Sequence, residues 1–126
     1  MRSRNSVAAL ALLVSLAAFG AERTPSVRML VQSSPLAGFR YHAAAQVWHE
    51  LRVGDALELA REPHNPYDPA AVSVSWRGRK LGYVPRRENA AVAWALDRGE
   101  PLQARISRLT EHRNPARRLA FEITLE

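Results

Sequence analysis

Asn65, Tyr67 and Asp68 lie inside the run Arg61-Glu62-Pro63-His64-Asn65-Pro66-Tyr67-Asp68-Pro69, in which prolines recur at 63, 66 and 69. An amide, an aromatic face and a carboxylate are recognition groups, and prolines that fix φ let a loop hold them still at small entropic cost. Asn65 and Asp68 can also bond their own following amides in Asx turns, which stiffens the loop further. Two other clusters pair a cationic fork with an aromatic face: Arg40-Tyr41 just after Gly38, and Tyr83 followed by Arg86. That mixture suits single-stranded nucleic acid, because every base has a face to stack and every linkage a charge to meet. An acid in such a site repels phosphate, so two roles stand open for Asp68. It ties down its own loop, or it accepts a hydrogen bond from a hydroxyl, as at a strand terminus whose 3′-oxygen bears no phosphate. Tyr67 and Tyr83 have a plainer alternative as caps on a small core.

For catalysis the chain is poor. Its histidines are His42, His49, His64 and His112, and it has no Gly-x-Ser-x-Gly elbow, no His-Glu-x-x-His and no glycine-rich phosphate loop. His42 and His49 lie seven apart with no carboxylate at metal-binding spacing, so structural or solvated histidines are expected, and no metal or cofactor. His64 and Asp68 could pair as base and orienter, but no serine or threonine lies between them.

The elements that position these groups read as short strands. Residues 56–61 alternate apolar and polar before the proline run, and Val72, Val74 and Trp76 do the same after it. Arg77-Gly78-Arg79 predicts a tight turn with Gly78 at positive φ, and residues 80–84 the returning strand. Pro85 is placed to open a helix over 86–98 that buries Ala90, Ala93, Trp94 and Leu96 and stops at Gly99 and Pro101. Residues 102–109 and 119–125 predict two further strands around a hydrophilic stretch. A first strand of about six residues, alternating through Val27, Met29 and Val31, is expected to end at Ser33-Ser34-Pro35. Residues 43–51 fit one helical turn or an irregular crossing that drops Val47, Trp48 and Leu51 into the core, with the irregular form preferred. The fold expected is mainly β with one or two short helices, a small OB-like or SH3-like barrel of five to six strands.

Length and composition bound the rest. A chain of 126 residues holds one small domain, and the absence of cysteine excludes disulfides, thiolate metal sites and a cysteine nucleophile. The formal charge is +6, carried by arginine with Lys80 the only lysine, a balance that suits an anionic partner. Arg2 and Arg4 before the apolar residues 7–19, with Ala18-Phe19-Gly20 behind them, read as a signal peptide over 1–20, cleaved or kept as an anchor. Its removal lowers the charge from +6 to +4 and leaves a disordered lead-in over 21–26 and a domain over 27–126 with no membrane span. A periplasmic or secreted location in a bacterium is expected.

Arg61-Glu62-Pro63-x-Asn65-Pro66-Tyr67-Asp68, Ala71-Val72-x-Val74, Gly82-Tyr83-Val84-Pro85-Arg86 and Glu88-Asn89 together resemble the HIRAN domain across residues 27–126. The resemblance implies an OB-like barrel, and helicase-fused members of that family capture the 3′-hydroxyl end of single-stranded DNA. It further implies that Arg40 and Tyr41 contact phosphate and stack a base, that Asn65, Tyr67 and Asp68 hold the terminal nucleotide and its hydroxyl, and that Arg86 meets the next phosphate. The chain has Tyr41-His42 where helicase-fused members tend to have two adjacent aromatics, and Tyr83 where they have a histidine.

The function expected is a non-catalytic, monomeric module for single-stranded DNA with a free 3′ end. The alternative is an exported module that binds a peptide or an envelope protein through the same cleft. A nuclease is the third reading, against which the missing nucleophile weighs. Arg105, Arg108, Arg113, Arg117 and Arg118, broken only by Glu111, form a second basic stretch that reads as a solvated rim or as a backbone track.

Overall fold

The computed structural model describes residues 28–126; the expected signal peptide and lead-in lie outside them. Six antiparallel strands form one sheet: β1 (Met29–Pro35), β2 (Ala56–Arg61), β3 (Val72–Trp76), β4 (Arg79–Tyr83), β5 (Leu102–Leu109) and β6 (Leu119–Leu125). Their spatial order is β1-β6-β5-β2-β3-β4. The two outer strands meet through the chain just beyond β1, where Ala37 and Tyr83 exchange hydrogen bonds of 2.9 Å in both directions. The sheet thereby curls into a small barrel, and the mainly β architecture read from the alternation is the one present. Inward-facing residues of β2, β3, β5 and β6, among them Leu57, Val74, Trp76, Ile106, Phe121 and Ile123, share one core.

Closure sets a steric demand at one residue. A Cβ at position 82 would overlap the Ala37 carbonyl oxygen and press on Leu36, so only glycine lets β4 approach that closely. At the other end of β4, Arg77 and Gly78 both take positive φ, 47° and 79°, in a two-residue hairpin turn. Arg77 stacks its guanidinium 4.5 Å from the Trp76 ring there.

Three local readings are corrected. β1 runs through Ser33 and Ser34 to Pro35, its buried residue is Ser34, and Met29 and Val31 are exposed. A bulge between Leu30 and Gln32 makes Val31 an extra residue and breaks the alternation, while Met29 is exposed opposite Leu125. The segment after Pro85 begins as a 3-10 turn, Arg86–Glu88, and the helix proper is α2 (Ala90–Asp97). Trp94 is 68% exposed rather than buried, with Arg98 lying 5.0 Å from its ring. Ala90 is exposed as well; of the expected residues Ala93 is buried and Leu96 partly so, and the rest of the buried side consists of Asn89, Val92 and Ala95. Residues 43–51 combine both forms considered, an α-helical turn α1 (Ala44–Val47) and a 3-10 turn (Trp48–Glu50), with Val47 and Leu51 buried and Trp48 partly so.

Gly82→Ala should lower unfolding stability by about 1–3 kcal/mol, the usual cost of overfilling a packed site. Urea denaturation measures it, and a midpoint equal to that of the parent would remove the steric account of closure.

Candidate nucleic-acid interface

The proline run is the extension of the β2-β3 ladder. Glu62 N–H donates to the Ala71 carbonyl (3.0 Å), and inside that link Asn65 N–H donates to Glu62 O and Ala71 N–H to Asp68 O. Asn65 Oδ1 accepts from the amides of Tyr67 (2.8 Å) and Asp68 (3.2 Å), and Asp68 Oδ1 accepts from Ala70 N–H (2.9 Å). The expected Asx chemistry is therefore present at both residues. Arg61 braces the returning limb by donating to the carbonyls of Pro69 and Ala71 (2.9 Å each) while pairing with Asp97 (2.9 Å). The loop is clamped at its base and turned outward at its tip, where Tyr67 is 83% exposed.

Opposite it stands the bend opened by Gly38 at φ 77°, whose 3-10 turn, Phe39–Tyr41, buries Phe39 and leaves Tyr41 75% exposed. Loop and bend enclose a hollow of about 900 Å³. Tyr41, Asn65, Tyr67, Asp68, Tyr83 and Arg86 all line it; Arg40 does not, and lies 5.8 Å from the Tyr41 ring on the outer side of the turn.

The floor of the hollow is a closed polar network. Glu62 accepts from Lys80 Nζ (2.6 Å), from the Tyr83 hydroxyl (2.9 Å) and from Asn65 Nδ2 (3.1 Å), and Lys80 also donates to the Tyr83 hydroxyl (3.0 Å). Lys80 and Tyr83 are three apart and would fall on opposite faces of a regular strand. They share a face because β4 bulges at Leu81: Gly82 opposes Val74 while Lys80 opposes Ser75. Tyr83 is thereby held at its hydroxyl, and His42 meets its ring edge-on with centroids 5.4 Å apart. Its aromatic face is part of the floor, whereas those of Tyr41 and Tyr67 are open.

Electrostatics follow from this arrangement. Burial alone would raise the Glu62 pKa, but the hydrogen bonds from Lys80, Asn65 and Tyr83 outweigh it and hold the carboxyl below its ordinary range. The same bonds, from Glu62 first and Tyr83 second, raise Lys80. Asp68 is lowered by the Ala70 amide, then by Asn89, whose Nδ2 donates to Oδ2 (2.7 Å), with Arg86 and Arg61 adding at longer range. Burial and the Lys80 charge push the His42 pKa down against the opposing pull of Glu62. Glu62 and Lys80 cancel, leaving the Asp68 carboxylate and the Arg86 guanidinium as the free charges around the opening.

The HIRAN domain family matches residues 29–126. The chain belongs to this family. A protein from Lactobacillus plantarum of known crystal structure is similar to it, with 28% identity and a TM-score of 0.67 over 79% of this chain and 95% of that one. The HIRAN domain of human HLTF superposes with a TM-score of 0.60 at 19% identity over 78% of each chain, a likeness of fold. The Fanconi-associated nuclease 1 homolog of Oryza sativa subsp. japonica is 34% identical over 79 residues, 60% of this chain. This HIRAN chain spans only 8% of the length of that relative.

Reading the sequence for site residues missed Glu62, Lys80, His42 and Asn89, all of which shape this HIRAN hollow. Glu62 and Asn89 stand within the recognisable motifs, and Lys80 is the single lysine, so each carried a signal. What hid their roles was geometry: the bulge at Leu81, and a buried asparagine that reads as a polar break in a helical stripe.

Stability should titrate at both ends of the pH scale. Because Glu62 and Asp68 are lowered, their contribution is complete above the ordinary carboxylate range of about 4 and is lost as pH falls through the lowered values. Because Lys80 is raised, its contribution is complete below about 10.4 and is lost as pH rises through the raised value. Urea midpoints between these limits should form a plateau, and Glu62→Gln should lower the plateau and soften both edges. A variant profile that only shifts down in parallel would contradict the network.

Proposed function

We propose that the protein binds single-stranded DNA at its terminus and favours a free 3′-hydroxyl over a 3′-phosphate. Membership of the HIRAN family, whose domains are nucleic-acid-binding modules, supports a DNA-binding role. The observation that carries the finer reading is the pairing of two open tyrosine faces, Tyr41 and Tyr67, with a carboxylate in the same hollow. The tyrosines offer stacking to the last one or two bases, each worth about 1–3 kcal/mol. Asp68 spends one acceptor site per oxygen, on Ala70 N–H and on Asn89, and a carboxylate has roughly four, so capacity remains for a hydroxyl donor. A phosphate in that place would meet an ionised acid. Charge that attracts phosphate stands instead at the edge, on Arg86 in the 3-10 turn after Pro85 and on Arg40 outside the bend. Both roles considered for Asp68 are thus compatible: loop tie and hydroxyl acceptor use different lone pairs.

Fluorescence anisotropy with one short oligonucleotide, carrying either a free or a phosphorylated 3′ end, tests the reading. The hydroxyl form should bind more tightly, and Tyr41→Ala and Tyr67→Ala should each cost about 1–3 kcal/mol of binding while leaving the urea midpoint near the parent value. Equal affinity for the two ends sinks the terminal preference, and no binding at low salt sinks the DNA reading.

A further inference from the structure

Beyond the tyrosine-flanked hollow, two more follow around the barrel. Phe39, in the same 3-10 turn as Tyr41, lines a hollow of about 500 Å³ together with Trp48, His112, Arg113 and Arg118. His112 also borders a third, about 760 Å³, whose walls carry Ser33, Ser107, Thr110, Arg108 and Arg117. The middle hollow is stiffened rather than open to a strong ligand contact from Arg118. That guanidinium donates to the His112 carbonyl (2.6 Å) and lies 5.2 Å from the Phe39 ring. Glu111 lines the middle hollow and not the third.

The third hollow owes its charge to a backbone irregularity. Ile106 opposes Phe121 and Arg108 opposes Ala120, so Ser107 is an extra residue in β5. Without that bulge the inward series Ala104, Ile106 would continue at 108; with it, Arg108 is exposed and Leu109 falls opposite the buried Leu119. Arg108 has Ala120 as cross-strand neighbour, and Ala120 has Pro35 on its other side, so no acid stands on that rung. The acid on the next, Glu122, lies opposite Arg105. Arg117 is presented by a loop fastened at its own base: Thr110 N–H donates to Arg118 O (2.8 Å), and Asn114 Oδ1 accepts from Ala116 N–H (3.0 Å). Among the described residues the ion pairs involve Arg28, Arg61, Lys80 and Arg98, and neither Arg108 nor Arg117. Two uncommitted guanidinium forks set among serine and threonine hydroxyls form the donor set that nucleic-acid binders turn toward phosphate oxygens.

We propose that this arginine and hydroxyl groove is a second contact for the phosphodiester backbone of the same single strand whose end occupies the tyrosine-flanked hollow. The proposal rests on the terminal-binding reading and extends it: the substrate is a single-stranded tail of several nucleotides, gripped at its end by stacking and along its length by charge. The way from one contact to the other passes the middle hollow, bordered by Phe39 and His112, so the strand must be long enough to span it.

The experiment uses the full chain and two single strands with free 3′-hydroxyls, about three and about fifteen nucleotides long, a range that brackets the site size of a small barrel. For the parent protein, the dependence of log K on log salt should be steeper for the long strand by about 1.4, roughly 0.7 for each of two phosphates neutralised. Replacing both Arg108 and Arg117 by serine should leave the short strand's affinity within about twofold, and should weaken the long strand roughly tenfold at low salt and abolish the extra slope. A variant with the parent urea midpoint and the parent affinity for the long strand overturns the groove. So does a parent protein whose salt slope is the same for both lengths, a measurement that needs no variant to fold. Failure of the parent to bind either strand overturns the terminal reading and the groove with it, whereas short-strand binding without a length effect leaves the terminal reading standing and overturns the groove alone.

Discussion

The pair of hydrogen bonds between Ala37 and Tyr83 is the constraint on which the arrangement depends. It joins the chain beyond β1 to β4 and so turns an open sheet, with two exposed edges, into a barrel. It also brings the bend that carries Tyr41 against the strand that carries Lys80 and Tyr83, and through Glu62 against the proline loop. Tyr83 is engaged twice, by its backbone in closure and by its hydroxyl in the floor of the hollow. A hollow between two loops would ordinarily widen and narrow with loop motion; here both walls are referred to one residue. The requirement for glycine at 82 is the steric condition for that meeting.

Within this frame rigidity and recognition fall to different side chains. Glu62, Lys80, Asn65 and Asn89 have their polar groups bonded to other protein atoms, and Asn89 is 3% exposed with its amide committed to Asp68. Hydrogen bonds to charged groups of this kind contribute about 1.5–3 kcal/mol each, and leaving such a group unpaired costs more than the bond is worth. The prolines at 63, 66 and 69 reduce the freedom of the unfolded loop, which lowers the cost of ordering it. Tyr41 and Tyr67 are left with little to pack against, and large exposed rings in pairs are costly to maintain unless a ligand covers them. Beneath the open rings, the charge of Glu62 is paired with that of Lys80.

Strand content is legible because most strands alternate, and even β5 does so as far as its bulge at Ser107. Residues 56–61, 102–109 and 119–125 were read at their observed bounds, and the Asx chemistry of Asn65 and Asp68 followed from residue type. Reading failed where a local insertion or a buried polar residue shifted the phase. Val31 is the extra residue of a bulge in β1 and is exposed; Asn89 is buried ahead of α2, and Trp94, expected in the core, stands in solvent. Arg40 follows a left-handed Gly38 into a 3-10 turn and keeps its guanidinium 5.8 Å from the Tyr41 ring, yet it does not line the hollow that Tyr41 does. The polar floor was invisible for the related reason that Lys80 and Tyr83 are three apart on a strand.

Bulges do similar work on opposite sides of this barrel. At Leu81 the extra residue brings Lys80 and Tyr83 onto one face, and the hollow gains a floor in which charge is cancelled. At Ser107 it turns Arg108 out of the series that buries Ala104 and Ile106, and the outer surface gains a charge that no neighbour cancels. A regular six-stranded barrel of this sequence would bury Arg108 unpaired at a cost of several kcal/mol and would split Lys80 from Tyr83. Both irregularities leave a trace in the sequence, a jump from period two to a step of three between Ile106 and Leu109 and between Lys80 and Tyr83. Such steps in an otherwise alternating strand identify where the ladder gives way, and in this protein Tyr83 and Arg108, which stand at them, line its hollows.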